Sequence, residues 1–138
     1  MNKKYIKYIE YIVNDIELPY FINMKEMYGL KDNEYSLVLS KLYNQPVSIE
    51  GNNVYDTNGN TIYSEYSSGF WEKYEYDTNG NRIYREYSSG FWEKWEFDAN
   101  GNEIYYEDSD GFWIKYEYDT NSNVIYYEDS DGEIEDNR

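Results

Sequence analysis

The chain has 138 residues, a formal net charge of −16, 21% aromatic residues, and neither cysteine nor histidine. The missing residue types exclude disulfides, thiolate catalysis, Cys/His zinc sites and histidine-based triads. The acid is unevenly placed: residues 1–54 carry 6 Lys against 7 Asp and Glu, and residues 55–138 carry 6 Lys and Arg against 21 Asp and Glu. Such a second part repels DNA, RNA and anionic membranes and attracts basic surfaces.

The opening stretch MNKKYIKYIEYIV is interrupted by Lys7 and Glu10. It offers no apolar run of the kind a secretory signal or membrane span needs, so a cytoplasmic protein is expected. Over residues 3–18, Ile6, Ile9, Val13 and Ile16 form one apolar stripe, which predicts an amphipathic helix. Pro19 interrupts it. A short helix is expected from Tyr20 to Tyr28, stopped by Gly29. A further helix is expected from an Asp32 cap to about Tyr43, with Tyr35, Val38, Leu39 and Leu42 as its apolar face and Asn44 and Pro46 at its end. The pair resembles a helix-turn-helix in outline. Yet Lys25, Lys31 and Lys41 are matched by Glu26, Asp32 and Glu34, so the basic face that DNA reading needs is absent.

From Tyr55 onward the sequence repeats at a spacing of 21. The units run 55–75, 76–96, 97–117 and 118–138. Each opens on an aromatic residue and an aspartate: Tyr55-Asp56, Tyr76-Asp77, Phe97-Asp98, Tyr118-Asp119. The loop Asn58-Gly59-Asn60 recurs twice and becomes Asn121-Ser122-Asn123 in the last unit. An isoleucine follows at 62, 83, 104 and 125, and a second loop ends at Gly69, Gly90, Gly111 and Gly132. Asn-Gly supplies the positive φ of a tight hairpin. Where Ser122 replaces glycine, the turn is expected to be less stable, with Asn121 and Asn123 as alternative residues for the left-handed conformation.

Strand formers fill the intervals, such as Phe70–Tyr76 and Arg82–Tyr87. Alternation sets Phe70, Glu72, Tyr74 and Tyr76 on one face and Trp71, Lys73 and Glu75 on the other. If Tyr76 pairs with Arg82, then Tyr74 faces Tyr84 and Trp71 faces Tyr87, building aromatic ladders. The expected fold is mainly β (α+β): a helical N-terminal cap of two to three short helices over residues 1–46, then a repetitive antiparallel hairpin meander over residues 47–138. Repeat arrays need protected ends, which gives the helices their expected role.

The spacing Gly69-x4-Tyr74-x-Tyr76-Asp77-x-x-Gly80-x-x-Ile83, repeated as Gly90-x4-Trp95-x-Phe97-Asp98-x-x-Gly101-x-x-Ile104, resembles the YD repeat of Rhs-type and teneurin-type proteins. The resemblance covers about the last 84 residues. It implies β-hairpin units in a curling sheet. In that family, long arrays form a hollow shell around a toxin or serve as cell-surface structures.

Three chemistries compete with structural explanations of the same residues. Asp-x-Asn-Gly-Asn hints at calcium, but the EF-hand spacing is not met and a turn needs the same residues, so no metal is expected. Carboxylate pairs such as Glu65 and Glu72 suit glycoside chemistry, yet acids recurring in every unit do not make one asymmetric pocket. No enzyme activity and no cofactor are expected. Trp71, Trp92, Trp95 and Trp113 can anchor a partner or stack a sugar, or pack across strands.

Along the array, Tyr66 and Tyr87 give way to Asp108 and Asp129, and Ser68 and Ser89 to Asp110 and Asp131. Glu107, Asp108, Asp110, Glu128, Asp129 and Asp131 are therefore the candidate acidic stripe. Their expected partner is a basic protein surface, such as that of a nucleic-acid-binding protein, with no direct nucleic-acid contact. In size and charge the chain resembles phage or mobile-element antagonists of the anti-CRISPR and anti-restriction kind. The alternatives are a carbohydrate or cell-surface binding module using the aromatic ladder, and a structural assembly repeat.

Overall fold

A computed structural model describes residues 29–138. The helices expected over residues 3–18 and 20–28 lie outside the described residues. Within them, one α-helix is followed by ten strands in a single antiparallel meander, each strand beside its sequence neighbours. The chain forms two compact units, Met1–Glu72 and Lys73–Arg138.

In the first unit, helix α1 spans Asp32–Tyr43. Asp32 is expected to cap it, but Lys31 takes the N-cap position with extended backbone, and Asp32 and Glu34 sit in the first turn. Acids there favour the positive end of the helix dipole. Asn44 ends the helix in the left-handed conformation (φ 53), with its N–H near the carbonyls of Ser40 and Lys41. Tyr35, Val38 and Leu39 are fully buried, as the apolar spacing predicts. They share the core with Ile49, Val54, Ile62 and Tyr63 of the first strands. Burying each such side chain stabilises the fold by about 1.5–3 kcal/mol.

Strands β1 (Ser48–Glu50) and β2 (Asn53–Tyr55) form a hairpin that the 21-residue spacing does not announce. Gly51 alone of its two loop residues has a positive φ (59), the pattern of a type II′ turn. Helix α1 secures the outer side of β1. Ser36 and Ser40 lie four residues apart and so on one helix face. Ser36 Oγ accepts the Ile49 N–H at 3.1 Å, and Ser40 Oγ accepts the Val47 N–H at 3.0 Å. Two amides that would otherwise form an open edge are thereby satisfied. The unit continues through β3 (Thr61–Glu65) into the start of β4 (Trp71–Tyr76).

The second unit is built of strands: the rest of β4, then β5 (Arg82–Tyr87), β6 (Trp92–Phe97), β7 (Glu103–Asp108), β8 (Trp113–Tyr118), β9 (Val124–Asp129) and β10 (Ile134–Asp136). The fully buried apolar side chains among the described residues all belong to the first unit. Cohesion of the second unit therefore rests on the hydrogen-bonded ladder and on half-buried cross-strand pairs.

Both loop types close in the same way. In the first, Gly101 N–H donates to Asp98 C=O at 3.1 Å, and Asp98 N–H donates to Asn102 C=O at 2.9 Å. In the second, Gly111 N–H donates to Asp108 C=O and Asp108 N–H to Phe112 C=O. The glycines have φ near 80–90°, for example 82° at Gly101 and 90° at Gly111. In the last unit Ser122 itself adopts φ 63, and neither flanking asparagine takes the left-handed conformation in its place. The loop fixes which position is left-handed, and the substituted residue bears the cost.

The register corrects a second expectation. Phe97 pairs with Glu103, but Glu96 pairs with Tyr105, so Ile104 is an extra residue; Tyr118–Val124 and Glu117–Tyr126 leave Ile125 extra, and Tyr55–Thr61 and Val54–Tyr63 leave Ile62 extra. The recurrent isoleucine is a bulge. It moves each of these three ladders by one residue. Trp95 faces Tyr106 and Tyr116 faces Tyr127, rather than Tyr105 and Tyr126. The Tyr74 ring is met by the guanidinium groups of Arg82 (4.4 Å) and Arg85 (5.9 Å).

Two stability changes are expected. Ser36→Ala leaves the Ile49 amide without its acceptor and should lower unfolding free energy by about 1 kcal/mol in a urea titration. Ser122→Gly removes the left-handed strain and should raise it by about 1 kcal/mol; an unchanged or lower value would show that the Asn102 Nδ2 to Ser122 Oγ hydrogen bond (3.0 Å) outweighs the strain.

Candidate interaction surface

The aspartates opening the first loop type spend their oxygens on the loop itself. Asp98 Oδ1 accepts from the Asn100 and Asn102 amides, both at 2.9 Å, and Oδ2 accepts from Asn102 Nδ2 at 3.1 Å. Asp56, Asp77 and Asp119 repeat the pattern. These are the oxygens a calcium ion would require. Among the described residues no group of three or more acidic side chains is arranged to hold a metal.

The second loop type uses the same device where aspartate replaces tyrosine. Asp108 Oδ1 accepts from the Asp110 amide at 2.9 Å and the Phe112 amide at 3.3 Å. Asp129 Oδ1 accepts from the Asp131 amide at 3.0 Å and the Glu133 amide at 3.1 Å. Their outer oxygens accept from the hydroxyls of Tyr106 (3.4 Å) and Tyr127 (2.7 Å) two residues back on the same face. Asp129 is only 6% exposed. Asp108 and Asp129 are thus turn closures, and their exchange for tyrosine adds hydrogen bonds to the fold. The spacing Asp108-x-x-Gly111 equals Asp98-x-x-Gly101, which is the sequence signal for this role.

The six residues of the candidate stripe therefore divide by role, although all lie toward one end of the second unit. Glu107 and Glu128 stand on a sheet face. Glu107 is opposite Lys94 on one side and Trp113 on the other; Glu128 is opposite Lys115 and Ile134. Each also accepts from a tyrosine, Tyr105 at 3.5 Å and Tyr126 at 3.0 Å. Asp110 and Asp131 sit exposed at the loop tips, with no partner for their carboxylates among the described residues. Equivalent loops are two strands apart, about 9.6 Å at ordinary strand spacing.

The four tryptophans do not form one ladder. Trp71, in the first unit, stacks on Tyr63 with ring centroids 6.3 Å apart. In the second unit, Trp92 and Trp113 share the face of Glu107 and Glu128, and lysines lie over their rings: Lys94 Nζ at 4.6 Å and Lys115 Nζ at 4.8 Å. Trp95 is on the opposite face, against Tyr106 at 5.7 Å. That face also carries the Tyr116–Tyr127 pair at 5.5 Å. Trp92 and Trp113 meet the next hairpin through the backbone. Ser109 Oγ accepts the Trp92 N–H and Ser130 Oγ the Trp113 N–H, while the serine amides donate to the tryptophan carbonyls. These serines occupy a fixed position in every unit, as Ser67, Ser88, Ser109 and Ser130. The periodicity carries their signal, yet their ladder role needs the register.

Glu65 and Glu72 are only 3% and 8% exposed. Glycoside chemistry needs both carboxyl groups on a sugar and a water. Among the described residues no helix is long and apolar enough to cross a membrane. The chain matches no protein-family model and no curated protein.

Protonation states follow the same contacts. Asp98 and Asp119 are held below the ordinary aspartate range, first by the backbone amides of Asn102 and Asn123. Asp129 is held low first by the Tyr127 hydroxyl, and the same bond pushes Tyr127 up to about 12. A carboxyl whose pKa falls on folding contributes stability above its unfolded value and loses it as pH falls through the folded one. The thermal midpoint should therefore hold near neutrality and drop from about pH 4 downward. Asp98→Asn should lower the midpoint at pH 7 and flatten this acid limb, as followed by circular dichroism; an acid limb of unchanged steepness would show that Asp98 does not contribute to it.

Proposed function

We propose that this chain is a non-enzymatic binding protein that blocks a basic, nucleic-acid-binding surface on a target protein, and that residues 55–138 are a short hairpin array of the YD type. The observation that carries the reading is the division of labour among the acids. Asp108 and Asp129 close turns, whereas Asp110 and Asp131 project from successive loop tips without a partner among the described residues. Glu107 and Glu128 lie close behind them at the ends of β7 and β9. Carboxylates repeating at a fixed interval on a rigid ladder match clusters of Arg and Lys that otherwise hold phosphates. Inhibition of the anti-CRISPR or anti-restriction kind, within the cytoplasm, is the setting that this chemistry fits. Carbohydrate stacking is less well supported, because lysines lie over the Trp92 and Trp113 rings and Trp95 is on the other face.

Immobilised protein should retain nucleic-acid-binding proteins from lysate at low salt and release them both at high salt and on addition of duplex DNA. The variant Asp110→Asn/Asp131→Asn, with Glu107→Gln and Glu128→Gln, should lose about ten-fold or more in affinity for the retained protein. Retention indifferent to salt, DNA and neutralisation would sink the proposal.

A further inference from the structure

Strand β10 presents backbone groups whose counterparts in two earlier strands are covered. Strand β10 pairs with β9 through Ile134–Glu128, Glu135–Tyr127 and Asp136–Tyr126. Backbone hydrogen bonds link Asp129 N–H to Glu133 C=O at 3.1 Å and Asn137 N–H to Ile125 C=O at 2.8 Å. Between these, antiparallel alternation turns the N–H and C=O groups of Ile134 and Asp136 away from β9. No hydrogen bond reaches them from the described residues. One repeat earlier, the same backbone groups belong to Trp113, whose N–H and C=O are both bonded to Ser130 at 3.1 and 3.0 Å. Two repeats earlier they belong to Trp92, bonded to Ser109 at 3.2 and 2.9 Å. The edge that β10 leaves open is thus one that the fold twice fills with another segment of chain.

We propose that β10 is a strand-addition site for an extended, cationic peptide segment carrying an apolar residue opposite Ile134. This inference rests on the basic-partner reading above and names how that partner is held. Ile134 stands where earlier units have tryptophan, and it is 59% exposed, so it offers an apolar contact beside the free ladder groups. Glu133 and Glu135 flank it along the chain and Asp131 lies in the preceding loop, all exposed. The nearby cation, Arg138, is already bound: its guanidinium reaches Asp136 at 2.9 Å and Glu117 at 3.0 Å and lies 4.0 Å over the Tyr126 ring. The charge left over is negative, and the complement is Lys or Arg on an extended chain. A second copy fits poorly. Each chain carries −16, and a two-fold pairing of β10 strands would set Glu135 close to its own counterpart. Like charges opposed across a ladder are destabilising. Added strands gain affinity from main-chain hydrogen bonds and specificity from alternate side chains, which gives the site both a shape and a charge requirement.

The test uses the full chain and a short fluorescein-labelled peptide of alternating lysine and valine. Its twin has the same sequence with the backbone amides of one edge N-methylated. A third peptide is methylated on the other edge. Fluorescence anisotropy at low salt should show one methylated peptide binding about ten-fold or more weaker than the plain one, and the other nearly unchanged. Ile134→Pro removes an outward N–H while leaving the bonds to β9, so it should weaken the plain peptide similarly with near-ultraviolet circular dichroism preserved. Equal binding of all three peptides overturns strand addition and leaves the acidic-surface reading standing. Absence of binding by any of them overturns both. If Ile134→Pro unfolds, the comparison of methylated edges on the unmodified chain decides. A dimer in sedimentation that disappears in Ile134→Pro would assign the edge to a second copy and overturn the proposal.

Discussion

The structure depends on a five-residue loop closed by an aspartate. An Oδ1 atom accepting two backbone amides, together with a residue at positive φ, holds the chain reversal in one conformation. The loop then sets the register of the strands it joins, and the bulged isoleucine beyond it moves that register by one residue. In a sheet, such a step exchanges one face for the other. The face that shows Trp92, Lys94 and Glu107, and the face that shows Trp95 and Tyr106, are both consequences of this arrangement. Because the same loop recurs at the same spacing, each face repeats along the second unit.

The two units solve the problem of cohesion differently. The first buries aliphatic and aromatic side chains under helix α1 and uses two helix serines to satisfy strand amides. The second has half-buried rings, cation–π contacts and tyrosine-to-carboxylate hydrogen bonds in place of a buried apolar core. Tyrosine suits this arrangement because its ring covers a neighbouring strand while its hydroxyl meets a carboxylate two residues along. Much of the acid therefore belongs to the fold. The acid left over includes Asp110 and Asp131 at the loop tips and Glu133 and Glu135 beside β10, all exposed.

Several features were legible in the sequence. The 21-residue period located the repeat strands, and glycine spacing located their loops. Apolar spacing gave helix α1 its buried face, and Asn44 its end. Other features were not legible. Lys31 rather than Asp32 occupies the N-cap, because a side chain able to cap does not fix where the first helical turn begins. The aromatic ladder was displaced by one residue, because a bulge leaves no mark in composition. Asp108 and Asp129 looked like surplus charge, although their spacing to Gly111 and Gly132 already matched that of the turn-closing aspartates.

The sequence by itself determined the repeat, its reversals and the sign of its field, since these follow from local backbone preference and from charge, which needs no neighbours to exist. Tertiary structure alone decided which carboxylates are consumed and which are offered. Asp108 and Asp110 are two residues apart and chemically identical, yet one is turned into the loop and the other outward. It also decided that Ser36 and Ser40 cover β1 while the outward groups of Ile134 and Asp136 have no such cover among the described residues. Those distinctions come from hydrogen-bond geometry between strands, and that geometry exists only once the register is set.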